Sequence, residues 1–157
     1  MPERFSWVVE NVIAGMERPG SFSPLEEDLR FLKEKGIDVV VNLEEEEYFR
    51  NYDGFVIKHI PIMDFGAPGL RDFEVFVDFV GSQVENNKSI AVHCYAGMGR
   101  TNLMIACFVI HHLNIDPRGA LELVKVKRPL HLVTERQEEA LWEYYYTVRD
   151  FLPNRRS

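Results

Sequence analysis

The chain has 157 residues, 46% of them hydrophobic and 27% charged, and carries a formal net charge of -7. That length can bury a real core in one domain, and that composition excludes a disordered or fibrous protein. The acidic balance argues against non-specific nucleic-acid binding and against a polybasic membrane anchor.

In chain order, WVVENVIA (7–14) reads as a strand. In SFSPLEEDLRFLKEKG, Ser23 is a candidate helix cap, Pro24 suits the first helical position and Glu26 completes a capping-box spacing. Leu25, Leu29 and Leu32 then recur at helical spacing, and Gly36 ends the run. IDVVVNL (37–43) and FVIKHIPI (55–62) read as strands, joined by the acidic EEEEYFRNYDG, which reads as solvated. After the loop MDFGAPG, the next segment places Phe73, Phe76 or Val77, Val80 and Val84 on one helix face.

SIAVH (89–93) is a short buried strand, and 101–113 is apolar almost all round, which predicts a helix through the core. Asp116 and Pro117 open a further helix ending near Pro129. The last helix lies in TERQEEALWEYYYTVRDFL, with Leu141, Tyr144, Tyr145 and Val148 facing inward. Strands alternate with helices before helices accumulate. The expectation is one α/β domain over 1–157, with a mostly parallel central sheet flanked by helices on both faces.

Chemistry concentrates in AVHCYAGMGRTNLM (91–104), which leaves the end of a buried strand and opens a helix. Ligands bind at that place in open α/β sheets. Gly97 and Gly99 permit a backbone that turns the N–H groups of Tyr95, Ala96, Gly97, Met98, Gly99 and Arg100 inward, above a helix N-terminus, as an anion cradle. Arg100 adds a planar fork for two phosphoryl oxygens. Cys94, facing these dipoles and a guanidinium, is set up to react as a thiolate. Thr101 can donate a hydrogen bond to the sulfur when it leaves, and His93 can hold the loop and tune the thiol. This concentrated positive site reconciles an acidic protein with an anionic substrate.

HCYAGMGRT resembles the HCx5R[ST] signature of the cysteine-dependent protein tyrosine phosphatases. FSWVVENVIAG, HIPIMDFGAP, KRP and TERQEEA are similar, in that order, to the small atypical dual-specificity branch, so the resemblance spans nearly the whole chain. It implies the cysteine phosphatase fold, with the phosphate-binding loop between a strand and the central helix. It also implies hydrolysis through a cysteinyl-phosphate intermediate without a cofactor or metal. Asp64 matches the aspartate that protonates the leaving oxygen, with Asp72 and Asp78 as nearby rivals. Gln137 matches a glutamine that orients water in many relatives. Asn102 stands where relatives carry glycine, and Leu130, His131 and Leu132 replace glycine or small residues. The implied substrate is a phosphorylated protein or peptide, phosphotyrosine first, with phosphoserine and phosphothreonine next. The alternatives are phosphoinositide, RNA 5′-phosphate or a binding module without turnover. The loop has no lysine between Cys94 and Arg100, which favours protein over lipid.

Other features carry less weight. MPERFSWVVE has no apolar signal core and LMIACFVI (103–110) is too short to span a bilayer. With two cysteines, Cys94 and Cys107, the expectation is a reducing, cytoplasmic setting and a monomer without membrane or nucleic-acid partners. The kinase-like tripeptide Asp64-Phe65-Gly66 lacks its companion motifs. His111 and His112 are adjacent on a helix and make no metal pair. The four glutamates at 44–47 read as a solvated acidic stretch.

Overall fold

The computed structural model describes residues 2, 4–48, 54–63 and 66–152. The segment read as one strand is a hairpin: β1 (Ser6–Val9) pairs antiparallel with β2 (Ile13–Glu17). The chain reverses at Glu10-Asn11, where Asn11 adopts φ 64° and the Val12 N–H donates to the Val9 carbonyl at 2.9 Å. Asparagine tolerates that left-handed conformation better than most residues.

Helix α1 (Leu25–Glu34) follows, but Ser23 does not cap it. Pro24 occupies the cap position, and its carbonyl accepts the Glu27 and Asp28 N–H groups. Gly36 ends the turn at φ +85°, as its position predicts. Then come β3 (Val39–Asn42), β4 (Val56–His59), α2 (Leu70–Glu85) and β5 (Ile90–Cys94). Three further helices follow among the described residues: α3 (Arg100–Leu113), α4 (Pro117–Lys127) and α5 (Glu135–Val148), with a short 3-10 turn at Arg149–Phe151. Asp116 caps α4, accepting the Gly119 N–H at 2.9 Å.

The sheet order is β1-β2-β5-β3-β4, and every pairing except β1 with β2 is parallel. Alternation along β3 divides the core. Val39 and Val41 point into a large cluster with α2, α3, α4 and α5, while Val40 joins Leu29 and Leu32 of α1 on the opposite face. Helix α3 is buried from Arg100 to Ile110 and packs on β2, β5 and the three other helices of its side. Its all-round apolar sequence follows from that central position. Phe73, Phe76 and Val80 form the buried stripe of α2, and Leu141, Tyr144 and Tyr145 that of α5. The outcome is the α/β sheet expected, with the β5–α3 connection at the carboxyl edge of the parallel strands.

Candidate active site

Cys94 is the last residue of β5 and is 3% exposed. The Gly97 N–H reaches its Sγ at 3.3 Å and the Thr101 hydroxyl at 3.1 Å.

The loop from Cys94 to Arg100 is shaped by what holds its carbonyls. The Arg18 N–H holds the Tyr95 carbonyl at 3.3 Å, the Leu132 N–H holds that of Met98 at 2.9 Å, and Arg128 Nη2 holds that of Gly97. Because a trans peptide sets its C=O and N–H on opposite sides, the next N–H groups, of Ala96, Met98 and Gly99, point away from those partners. All three residues line one cavity of about 140 Å³, together with Cys94, Arg100, Leu132 and the buried Gln137. Pockets for whole small molecules usually run to several hundred Å³, so this one suits a phosphoryl-sized group. Of the two loop glycines, only Gly97 has positive φ, at +72°.

Arg100 is buried at the start of α3, and its Nη1 donates to the Ile62 carbonyl at 3.0 Å. Asp64 lies outside the described residues. The described positions on either side of its loop both bond to the site, since Gln137 Nε2 donates to the Gly66 carbonyl at 3.2 Å. Gln137 also opens α5 through a capping box, in which its Oε1 accepts the Thr134 N–H while Thr134 Oγ1 accepts the Gln137 N–H. Asp72 is likewise engaged elsewhere, accepting the Gly69 N–H at the start of α2.

His93 is fully buried behind the loop, its Nδ1 3.4 Å from Glu44 Oε2. Glu44 corrects the reading of 44–47 as solvated. Glu45, Glu46 and Glu47 are exposed, but Glu44 is 4% exposed. The Glu44 N–H donates to Asn42 Oδ1 at 2.8 Å, and Asn42 Nδ2 donates to the Glu46 carbonyl. That local turn swings Glu44 inward, where its carboxylate also lies 3.5 Å from Arg18 Nε. Arg18 in turn stacks over the rings of Tyr48, at 4.0 Å, and Tyr95, at 5.0 Å.

Sequence reasoning does not find Glu44, Arg18 and Arg128 as site residues. The asparagine two residues before Glu44 is the available signal for an inward turn. Arg128 falls in the KRP motif, which assigns it no role in the site, because it lies at the end of α4 and acts through tertiary contacts. Burial pushes its guanidinium down to about 10, while the charge at Cys94 works in the opposite direction. It therefore remains a cation at neutral pH. Among the described residues, no three His, Cys, Asp or Glu side chains gather in a way that could hold a metal ion.

Residues 14–114 match the family model Tc-R-P, described as polymorphic toxin system, DSP-PTPase phosphatase. The chain is 32% identical over 130 residues to the phosphatidylglycerophosphate phosphatase PTPMT1 of Arabidopsis thaliana, covering 78% of this chain and 39% of that protein. It thus spans well under half the length of that curated relative. Among solved structures it resembles Tk-PTP in the active form, with a TM-score of 0.79 at 24% identity over 93% of this chain and 99% of that one. It also resembles PTPMT1 in complex with PI(5)P, with a TM-score of 0.82 at 19% identity over 95% and 99% of the two chains. Both structural likenesses establish the fold.

Proposed function

This chain belongs to the DSP-PTPase phosphatases, and from that membership we propose that it acts as a small atypical dual-specificity enzyme, hydrolysing phosphotyrosine monoesters through a cysteinyl-phosphate intermediate. The observation that carries this reading is the Cys94 sulfur set in a phosphoryl-sized pocket whose amides face inward. The loop amides and Arg100 hold the three non-bridging oxygens, and the Cys94 thiolate attacks phosphorus in line. The bond from phosphorus to the ester oxygen breaks, and Asp64 gives that oxygen its proton. Water then attacks phosphorus, the S–P bond breaks, and Asp64 takes a proton from the water. Thr101 Oγ1 stabilises the departing thiolate, and Gln137, which lines the pocket, orients the water. His93 supports the loop from behind. The whole of 1–157 acts as one phosphatase domain.

A protein substrate is favoured by the lysine-free loop interior and by the acidic side of the pocket. Glu45 and Glu46 line, with Arg100 and Arg18, an adjoining cleft of about 330 Å³. Anionic headgroups and membrane surfaces would meet repulsion there. A lipid phosphate is the second reading, supported by the similarity to PTPMT1 and by exposed Leu132, which lines the pocket. Among the described residues no helix is long and apolar enough to cross a membrane.

Phosphate release decides between these readings. Excess chelator should leave turnover of p-nitrophenyl phosphate intact, and Cys94→Ser should abolish it; residual activity in that variant would end the thiolate mechanism. A phosphotyrosyl peptide should then outpace phosphatidylinositol 5-phosphate vesicles and triphosphorylated RNA. Faster turnover of the vesicles would install the lipid reading instead.

A further inference from the structure

Arg128 joins pieces of chain that are far apart in sequence. Its Nε donates to Asn102 Oδ1 at 2.7 Å and its Nη2 to the Gly97 carbonyl. Its Nη1 donates to the Arg4 carbonyl at 2.7 Å and to Ser6 Oγ at 2.8 Å. The residue is 3% exposed. Space for it is built into the sheet, because a Cβ on Gly15 of β2 would stand 2.7 Å from the guanidinium carbon. Asn102 is fully buried in the first turn of α3. Its Nδ2 lies 3.3 Å from the Leu130 carbonyl and 3.2 Å from His131 Nδ1, which fixes the amide with Oδ1 toward Arg128.

We propose that Asn102 and Arg128 are a positioning pair that holds the phosphate-binding loop in its anion-ready form. The inference rests on the phosphatase reading above, because it gives the pair a role in that site. Gly97 is the loop position with the most freedom, and its peptide plane decides where the Met98 N–H points. With the Gly97 carbonyl held by Nη2, that N–H stays on the pocket side. A rotated peptide would bring a carbonyl oxygen toward the thiolate and the substrate oxygens, where it repels both. Nη2 can hold the carbonyl only while the guanidinium plane is fixed, and Asn102 Oδ1 fixes it through Nε. A lysine keeps the charge yet lacks the planar fork, so charge and geometry can be separated.

Orthovanadate serves as the probe, with kcat and KM for p-nitrophenyl phosphate measured in parallel for Arg128→Lys, Asn102→Gly and the double variant. Arg128→Lys should weaken vanadate binding about tenfold, and Asn102→Gly about threefold, less because Asn102 acts on the loop only through Arg128. KM should rise with the vanadate Kd. In the Arg128→Lys background, Asn102→Gly should add almost nothing, because the pair acts as one unit. Circular dichroism at the assay temperature confirms that each variant is folded. Should Arg128→Lys not fold, Asn102→Gly decides alone, and an unchanged vanadate Kd overturns the pair. Wild-type affinity in Arg128→Lys, or simple additivity of the two effects, also overturns it. An active unmodified protein with unaffected variants rejects the pair and leaves the phosphatase intact. Vanadate binding without turnover in the unmodified protein rejects the phosphatase, while the three variants still support or overturn the pair. No vanadate binding at all overturns both.

Discussion

Gly97 is the residue at which the loop tolerates least. A Cβ there would stand 2.5 Å from the Met16 carbonyl oxygen and 2.9 Å from the Glu17 nitrogen, both backbone atoms of β2. Backbone in a central strand cannot yield as a flexible side chain can. The φ of +72° adds a second penalty for any side chain. Gly97→Ala should therefore cost about 3 kcal/mol, the upper end of overpacking, and lower the melting temperature. Vanadate affinity should fall with it; a variant that melts and binds like the unmodified protein would show that the loop adapts elsewhere. The glycine is legible in sequence because its motif demands a tight turn, and so are Cys94 and Arg100. Glu44 is not. Its three exposed neighbours have the same side chain, and the Asn42 turn, the buried His93 ring and Arg18 distinguish it.

At the scale of elements, α5 is more than a cover for the core. Its first turn carries Gln137, whose backbone and side chain serve the Thr134 capping box while its Nε2 reaches the Gly66 carbonyl. Cap and site therefore share one residue. Thr134→Ala leaves the Gln137 N–H without its side-chain acceptor, and should cost about 1 kcal/mol. In a chain of this size that lowers the melting temperature by roughly 2–4 °C. It should also lower kcat with little change in KM, and Thr134→Ser should restore both quantities. A stability loss without any change in kcat would confine the cap to folding. Where local chemistry fixes an element, sequence is sufficient, as with Asp116-Pro117 at the start of α4. It is insufficient where hydrophobicity continues through a reversal: WVVENVIA carries apolar residues on both sides of Glu10-Asn11, and the hairpin turn is marked by that polar pair alone. Ser23 satisfies the cap rule, but the helix begins one residue later because the Pro24 carbonyl takes the first N–H groups.

The whole molecule couples its stability to pH through the contact between α3 and α5. His111 Nε2 and the Tyr144 hydroxyl lie 2.7 Å apart, and Cys107 lies on the same helix as His111, interacting with Tyr144. Burial holds all three in their neutral forms. It lowers the His111 imidazole from 6.5, with Asp78 of α2 pulling weakly the other way, and raises the Cys107 thiol well above 9.0 and the Tyr144 phenol above 10.0. On the acid side, the unfolded chain takes up the His111 proton at a pH where the folded protein still resists it. The stability due to neutral His111 is thus present above pH 6.5 and is lost as pH falls from there toward the lowered folded value. His131, also lowered by burial first and by Lys125 and Arg128 next, adds in the same direction. On the alkaline side, the unfolded chain releases the Cys107 and Tyr144 protons first. That stability is present below pH 9.0 and is lost as pH rises beyond it. Thermal melts should therefore trace a plateau between pH 6.5 and pH 9.0 with a shoulder on each side. His111→Gln keeps a hydrogen-bonding group opposite Tyr144 but cannot titrate, so it should flatten the acid shoulder and leave the alkaline one in place. An acid shoulder of unchanged steepness in that variant would assign it to carboxylates and His131 instead, and remove His111 from the acid response of the fold.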